Sequence, residues 1–311
     1  MRTTLGFLLA FAPVAVFAQQ TSYRSERAAI DRQSQVIRSQ GIRTLQEASV
    51  PDEPIGPSLV NNLIIAGVVG VVLAAAAVLL AEYFDDSVKA QADLDRIVHP
   101  VLSAIPLVRK YRPGEVVPVV SITAPLSPEA EAYRSLRTSV KSIGLQRAMR
   151  IVQITSPMPG EGKSITAANL AVVMARAGDR VLVVSADLRR PRVESYLGIE
   201  SKHGLTSVLV GDVSIADALV PSDDVPGLFV LPTGGLPPNP SELLAWQRTQ
   251  ELIERLADEF SVVIIDSPPI LPVTDALVSS RFCDATIVVA RAGATSRRRL
   301  RRAVELLGMV E

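Results

Sequence analysis

Cysteine, histidine and net charge are all scarce in this chain, and each scarcity removes a class of explanation. A single cysteine, Cys283, permits no internal disulfide. It lies in an apolar stretch and reads as a small core residue rather than a reactive thiol. Two histidines, His99 and His203, stand too far apart in sequence to suggest a metal site. The 32 basic residues offset the 32 acidic ones, which leaves no global field to attract nucleic acid or another polyanion. What the chain does have is apolar substance: a hydrophobic content of 48% excludes wholesale disorder and supplies a sizeable core.

Part of that apolar content is concentrated. Leu63 to Ala81 carries no charge over 19 residues, long enough as a helix to cross a hydrocarbon layer. A buried core helix is the alternative, but it would have to be apolar on every face between the abrupt polar ends Asn61-Asn62 and Glu82 to Asp86. We therefore assign residues 59–81 to a transmembrane helix. Residues 1–18 form a second apolar segment, from Leu5 to Ala18, shaped like a secretory signal peptide or a short membrane segment. Residues 19–58 then form a short extracytoplasmic segment, helical through Arg24 to Gln46, with Pro51, Pro54 and Pro57 stiffening the approach to the membrane. Lys89, Arg96, Arg109 and Lys110 after the span outnumber Arg38 and Arg43 before it, a mild bias that puts the C-terminal part in the cytoplasm.

Residues 82–126 read as a cytoplasmic linker and residues 127–311 as the main domain. Ser127-Pro128-Glu129 is a helix start, with a capping hydroxyl, proline at the first helical position and acids in the first turn. Short apolar strands then alternate with helices: strands over Ile151 to Thr155, Arg180 to Ser185, Ser261 to Ile265 and Ala285 to Ala290, helices from Lys163 to Ala177, within Ser241 to Glu259, and from Thr295 to Gly308. That alternation predicts an α/β fold, a doubly wound and mostly parallel sheet with helices on both faces. Leu231 to Pro240, rich in Pro and Gly, is a loop.

Between the first strand and its helix stands Ser156-Pro157-Met158-Pro159-Gly160-Glu161-Gly162-Lys163-Ser164. A strand, a glycine-containing loop and a helix opening on Gly-Lys-Ser point backbone N–H groups and a helix N-terminus at phosphate oxygens. Pro159, Gly160, Glu161, Gly162, Lys163, Ser164 and Ile165 are the cofactor-binding candidates of this P-loop. Lys163 is placed to contact the β- and γ-phosphates of a nucleoside triphosphate, and the Ser164 hydroxyl to reach Mg2+. The strict pattern wants glycine where this chain has Pro157. A magnesium site of this kind also needs a carboxylate at the end of a neighbouring strand, and Asp266, closing Val262-Val263-Ile264-Ile265, supplies one. Asp187 at the end of Val181 to Ser185 is a candidate further ligand and Arg189 a candidate phosphate contact, although a surface acid and base fit that spacing as well.

From Leu59 to Gly308 the chain resembles a bacterial tyrosine autokinase of the exopolysaccharide and capsule biosynthesis type, fused to the last segment of a chain-length-determinant membrane domain. The matching residues are Glu82-Tyr83-Phe84-Asp85-Asp86 after the membrane helix, Glu131-Ala132-Tyr133-Arg134-Ser135-Leu136-Arg137, Pro159 to Ser164, Ala186 to Pro191, Leu231-Pro232 through Pro240, and Asp266-Ser267-Pro268-Pro269. The resemblance implies phosphoryl transfer from Mg-ATP to tyrosine, with Lys163, Asp187 and Asp266 catalytic and Ser164, Asp187 and Asp266 around the metal. It implies a ring assembly joined through Glu131, Arg134 and Arg137, which recur at i, i+3 and i+6 on a helix, where a solvated stripe is the plainer reading. It also implies an inner-membrane protein with a cytoplasmic kinase domain that works with polysaccharide polymerase and export machinery.

Two departures bear on activity. The family carries an aspartate two residues before Asp187 as base toward the tyrosine hydroxyl, and this chain has Ser185, which cannot take that proton unaided at neutral pH. The family also tends to end in a tyrosine-rich tail, and the last tyrosine here is Tyr196. An ATP-binding scaffold that transfers no phosphate is thus the alternative. A partition-like membrane ATPase is a more distant one, because Met158 stands where those ATPases carry an additional lysine. One further feature, Arg297-Arg298-Arg299 with Arg301-Arg302, reads either as a solvated helix face or as a site for anionic lipid or a phosphorylated partner.

Overall fold

The computed structural model describes residues 27–36, 58–89, 93–94, 97, 100–108, 118–144 and 149–310. Residues 1–18, most of the segment 19–58 and residue 311 lie outside the described residues. Of the helix expected over Arg24 to Gln46, residues 27–36 are described, and they are helical and exposed. The chain divides into two compact units, Met1–Leu80 and Ala81–Glu311.

The apolar run forms one helix, Leu59–Phe84, of 26 residues. Ser58 opens it, its hydroxyl accepting the Asn61 N–H at 3.2 Å and its carbonyl the Asn62 N–H at 3.0 Å, so the first orphan donors of the helix are met. The most apolar 18-residue window has a mean hydropathy of 3.0 and none of it is buried against protein, which fits a helix whose solvent is lipid. The helix extends beyond the span 59–81 at its C-terminal end only, by Glu82, Tyr83 and Phe84, a polar and aromatic end suited to the interface.

The second unit is built on a six-stranded sheet in the order β3-β4-β2-β5-β1-β6. The strands are β1 Ile151–Thr155, β2 Val181–Ser185, β3 Val220–Pro221, β4 Leu228–Leu231, β5 Val262–Asp266 and β6 Ala285–Val288. All neighbours are parallel except β3 and β4. The helices Pro128–Gly144 and Lys163–Ala175 cover one face, burying Tyr133, Leu136, Leu170 and Val172 against Val152, Ile154, Val181 and Val183. The helices Leu205–Val210, Pro240–Ala245 and Gln247–Glu259 cover the other, with Leu209, Leu244, Ile253 and Leu256 against Leu182, Val184, Val263 and Ile265. Because β1, β2 and β5 are buried on both faces, apolar side chains run through them without alternation, interrupted by the buried Gln153 and closed by the polar ends Thr155, Ser185 and Asp266.

Several details depart from the sequence reading. The helical stretch expected within Ser241 to Glu259 is two helices, because Trp246 turns to extended backbone at ψ 138° between them. The strands β3 and β4 went unread: four residues of β4 and two of β3 carry too little pattern to stand out beside the adjoining Pro-Gly loop. Much of the segment 82–126 is packed rather than loose, since Val88, Val119 and Val120 are buried and Leu102, Ile105 and Val108 lie against the core. Ser127 does cap its helix, its hydroxyl accepting the Ala130 N–H at 3.1 Å.

The consequence for function is one of placement. Parallel strands β2, β5 and β1 end side by side, so the residues following all three gather at a single carboxyl edge of the sheet.

Candidate active site

The loop after β1 turns through Gly160 at φ +82° and Gly162 at φ +102°, a left-handed backbone in which a side chain is strained. Gly162 then becomes the N-cap of Lys163–Ala175, its carbonyl accepting the Thr166 N–H at 3.0 Å. Pro159 and Gly160 are exposed at the tip, while Glu161, Lys163 and Ser164 are buried. Glu161 turns inward. Its carboxylate accepts the Met158 N–H at 2.9 Å and the Thr295 hydroxyl at 2.5 Å, so the side chain braces the loop rather than facing a ligand. Burial pushes the Glu161 carboxyl up, against the pull of Thr295, Met158 and Arg299. Ile165, half-buried, lies 3.7 Å from where a Gly162 side chain would begin.

Four of the proposed residues converge. The Lys163 Nζ donates to Asp187 Oδ2 at 2.7 Å and to Ser164 Oγ at 3.1 Å, and lies 3.6 Å from Asp266 Oδ1. Burial works to lower the Lys163 ammonium, but Asp266 and Asp187 outweigh it and hold it above the usual lysine value. Asp266 has no exposed surface, and neither of its carboxylate oxygens has a hydrogen-bond partner. Burial and the neighbouring Asp187 push its carboxyl up to about 6, although Lys163 and Ser164 pull it down. An orphaned carboxylate beside a second carboxylate and a serine hydroxyl is a donor set of the hard-oxygen kind that Mg2+ takes. These residues fit the cation that the loop implies.

Asp187 is held from behind, its Oδ1 accepting the Arg190 N–H at 3.0 Å. Arg189 does not stand free. It makes a two-pronged contact with Asp275, Nε to Oδ2 at 2.8 Å and Nη2 to Oδ1 at 3.1 Å, and Nη2 also reaches Ser241 Oγ at 3.1 Å. Ser241 donates to the same Asp275 carboxylate, which is fully buried. The sequence reading missed Asp275 and Ser241. Asp275 begins the helix Asp275–Ser280, nine residues beyond Asp266 and outside any strand end, so only the Pro-rich exit from β5 hinted that the chain returns here.

Ser185 closes β2 in register with Asp266 of β5. Its hydroxyl is fully buried and lies 2.9 Å from Thr233 Oγ1, which also donates to the Ser185 carbonyl at 3.0 Å. Thr233 follows β4 and was likewise unread. The nominated assembly residues lie on Pro128–Gly144 and divide their partners. Arg134 pairs with Glu131 and with the Pro125 carbonyl, whereas Arg137 reaches the Val173 carbonyl at 3.0 Å in the last turn of Lys163–Ala175. Cys283 is packed against the core beside Phe282, its thiol raised by burial, and it donates to the Ser279 carbonyl at 3.0 Å.

Comparison with known proteins agrees with this geometry. A family model described as an AAA domain matches residues 149–305. The tyrosine-protein kinase YwqD of Bacillus subtilis is 42% identical over 189 residues, covering 61% of this chain and 79% of that protein. The tyrosine-protein kinase Wzc of Salmonella typhimurium is 32% identical over 246 residues, covering 74% of this chain but 34% of Wzc. The chain thus spans most of the length of one relative and about a third of the other. Among solved structures, the kinase domain of the Escherichia coli tyrosine kinase ETK superposes with a TM-score of 0.67 at 30% identity, covering 72% of this chain and 90% of that one.

Proposed function

The chain belongs to the bacterial tyrosine-protein kinase family, and from that premise we propose that it is a membrane-anchored autokinase transferring the γ-phosphoryl group of Mg-ATP to tyrosine in the control of exopolysaccharide or capsule polymerisation and export. The convergence of Lys163, Asp187, Asp266 and Ser164 at one sheet edge carries the reading. In the transfer, the tyrosine oxygen forms a bond to the γ-phosphorus, the bond to the bridging oxygen breaks, and its electron pair leaves with ADP. The phenolic proton passes to a base.

Lys163 supplies the charge that meets the β- and γ-oxygens, which requires its Nζ to leave Asp187 as the triphosphate enters. Ser164, Asp187 and Asp266 are the residues that would hold Mg2+, which neutralises charge on the same oxygens when bound. The backbone from Gly160 to Ser164 orients the phosphates, and Glu161 keeps that backbone in place from below. The domain faces the cytoplasm of an inner-membrane protein, copies assemble through the Glu131, Arg134 and Arg137 helix, and polymerase or export proteins are the partners.

A scaffold that binds nucleotide without transferring phosphate is the second reading. One observation favours it: the residue at the base position, Ser185, is a buried hydroxyl tied to another hydroxyl. The test is incubation of the full chain in lipid discs with Mg-ATP, followed by phosphotyrosine detection alongside nucleotide binding. Kinase activity gives phosphotyrosine that Lys163→Ala abolishes. Binding with no phosphotyrosine in the parent chain rejects the kinase reading in favour of the scaffold.

A further inference from the structure

Immediately after the membrane helix, the chain docks onto the segment that starts the last helix. Ser87 and Ser296 form an antiparallel bridge, Val88 N–H donates to the Thr295 carbonyl at 2.8 Å, and Gly293 N–H to the Val88 carbonyl at 2.9 Å. Asp86 is bound twice more, its carbonyl accepting the Arg297 N–H at 2.8 Å and its Oδ2 the Arg298 N–H at 3.2 Å. Val88, 3% exposed, anchors the contact.

The helix that begins here, Arg297–Leu307, is sharply two-sided. Leu300, Ala303 and Leu307 are buried. At 100° per residue, Arg298, Arg301 and Arg302 fall within one arc on the opposite side, and all three are exposed. Arg297 is committed to Asp86 and Asp93, and Arg302 contacts only Glu305, at 3.4 Å on an open surface. Among the described residues, no carboxylate lies within ion-pairing distance of Arg298 or Arg301.

Chain length converts the docking into a distance. Glu82 to Phe84 are helical and only Asp85 and Asp86 follow, so the path from the last apolar residue, Ala81, to Asp86 is about 12 Å at most. The Arg298 backbone therefore lies within roughly 20 Å of the hydrocarbon edge even at full stretch. Headgroups occupy about 5–7 Å of that, and the Debye length is about 8–10 Å at physiological salt. At full stretch this leaves the Arg298 backbone about 13–15 Å from the headgroups, beyond one Debye length, and a bend at Asp85 and Asp86 together with the reach of the arginine side chains brings the basic face inside the field of an anionic leaflet.

We infer that Arg298, Arg301 and Arg302 form a docking surface for anionic phospholipid headgroups, pressing the kinase domain against the membrane that anchors it. The occupant is a lipid surface rather than a discrete phosphate because the three side chains are long and exposed, and the cavity beside Arg298 and Arg301 is also lined by Asp86 and Asp93, whose carboxylates repel a small anion seated there. This inference rests on Leu59–Phe84 being a membrane span, which alkaline carbonate extraction of the full chain tests separately.

The experiment places the full chain in discs of phosphatidylcholine alone or mixed with phosphatidylglycerol, with a fluorophore attached at Glu305→Cys and an acceptor dye on a lipid headgroup. Cys283 is half-buried, so it is first replaced by Ala to confine the label to one position. Energy transfer is expected to be higher in the anionic discs, with a contribution of about five-fold per arginine to the apposed population, and to fall to the neutral-disc level in high salt. Arg298→Gln with Arg301→Gln and Arg302→Gln removes the difference, whereas the three Arg→Lys replacements retain it, because a lipid surface needs charge and not the guanidinium fork. Equal transfer in both discs overturns the inference. So does loss of the signal in the lysine variant, or on adding free inorganic phosphate at constant ionic strength, either of which marks a discrete phosphate site instead.

Discussion

Thr295 donates its hydroxyl to Glu161, and through that one contact the phosphate loop is joined to the chain that follows the long apolar helix. The Thr295 carbonyl accepts Val88 N–H, its hydroxyl also accepts the Arg291 N–H at 2.8 Å, and the far oxygen of Glu161 accepts Met158 N–H inside the loop. A displacement at Val88 thus has a bonded route to Met158. Thr295→Val, nearly the same shape, removes the link and leaves a buried carboxyl one donor short. We expect a stability loss of about 1–2 kcal/mol and Mg-ATP binding weaker by about five- to thirty-fold, the factor to which that energy corresponds, read by titration calorimetry. Unchanged affinity would show that the loop holds its shape without the brace.

Asp266 gives a pH dependence whose sign can be fixed. Its folded pKa of about 6 lies above the ordinary aspartate value of 3.8, so between these values the folded, ligand-free protein holds a proton that the unfolded chain has lost. Stability from this group is therefore full below pH about 4 and is lost as pH rises through about 6. Asp266→Asn, which cannot ionise, should raise the unfolding free energy of the ligand-free protein at neutral pH by about 2–3 kcal/mol, and flatten the profile between pH 4 and 6. The same change removes a magnesium ligand, so nucleotide binding should weaken while stability rises. A destabilised variant at neutral pH contradicts the assignment.

These two sites show what was legible in the sequence and what was not. Lys163, Ser164 and Asp266 sit in contiguous patterns, a strand followed by a turn or a helix start, and the physical reason for each residue type is local. Asp187 was legible for the same reason, and the structure puts it 2.7 Å from Lys163. The partners that hold the site in shape were not. Thr233 lies 48 residues from Ser185, Asp275 lies 86 from Arg189, and Thr295 lies 134 from Glu161. Nothing in a local window says that a threonine after an unread strand will meet a particular side chain. Arg189 illustrates the limit from the other side: its spacing suggested a phosphate contact, and the buried carboxylate that occupies it comes from a helix the sequence did not place in the site.

Asp275 is the most exacting of these partners. It has no exposed surface, yet it takes two donors from Arg189 and one from Ser241, and so ties the loop after β2 to the helix Pro240–Ala245. Removing the carboxylate strands those donors rather than merely deleting a bond. Asp275→Ala is expected to destabilise the domain by about 2–4 kcal/mol in denaturant unfolding. If Arg189 contacts phosphate during turnover, the milder Asp275→Asn should loosen it and alter KM for ATP before it alters stability. A variant with wild-type stability and KM would mean the contact is idle.

Ser185→Asp decides how much of the kinase chemistry this chain retains. The position is fully buried, in register with Asp266, and its hydroxyl faces Thr233 Oγ1 at 2.9 Å, whose own proton goes to the carbonyl of residue 185, so an aspartate there gains a donor only by drawing that proton away. It adds a carboxylate beside Asp187 and Asp266 as well, and like charges at close range cost stability until a cation enters. We therefore expect Ser185→Asp to lower the thermal midpoint of the ligand-free protein and to regain much of that loss with Mg-ATP. If the parent chain lacks only a base, phosphotyrosine formation should rise by about 100-fold, the lower end of what general-base assistance supplies. If it rises not at all while Mg-ATP binding is intact, then the proton either leaves by another route or is never called on to leave, and the rate of the parent chain separates those cases: measurable phosphotyrosine means Asp187 or solvent takes the proton, and none means the nucleotide is bound for a structural purpose.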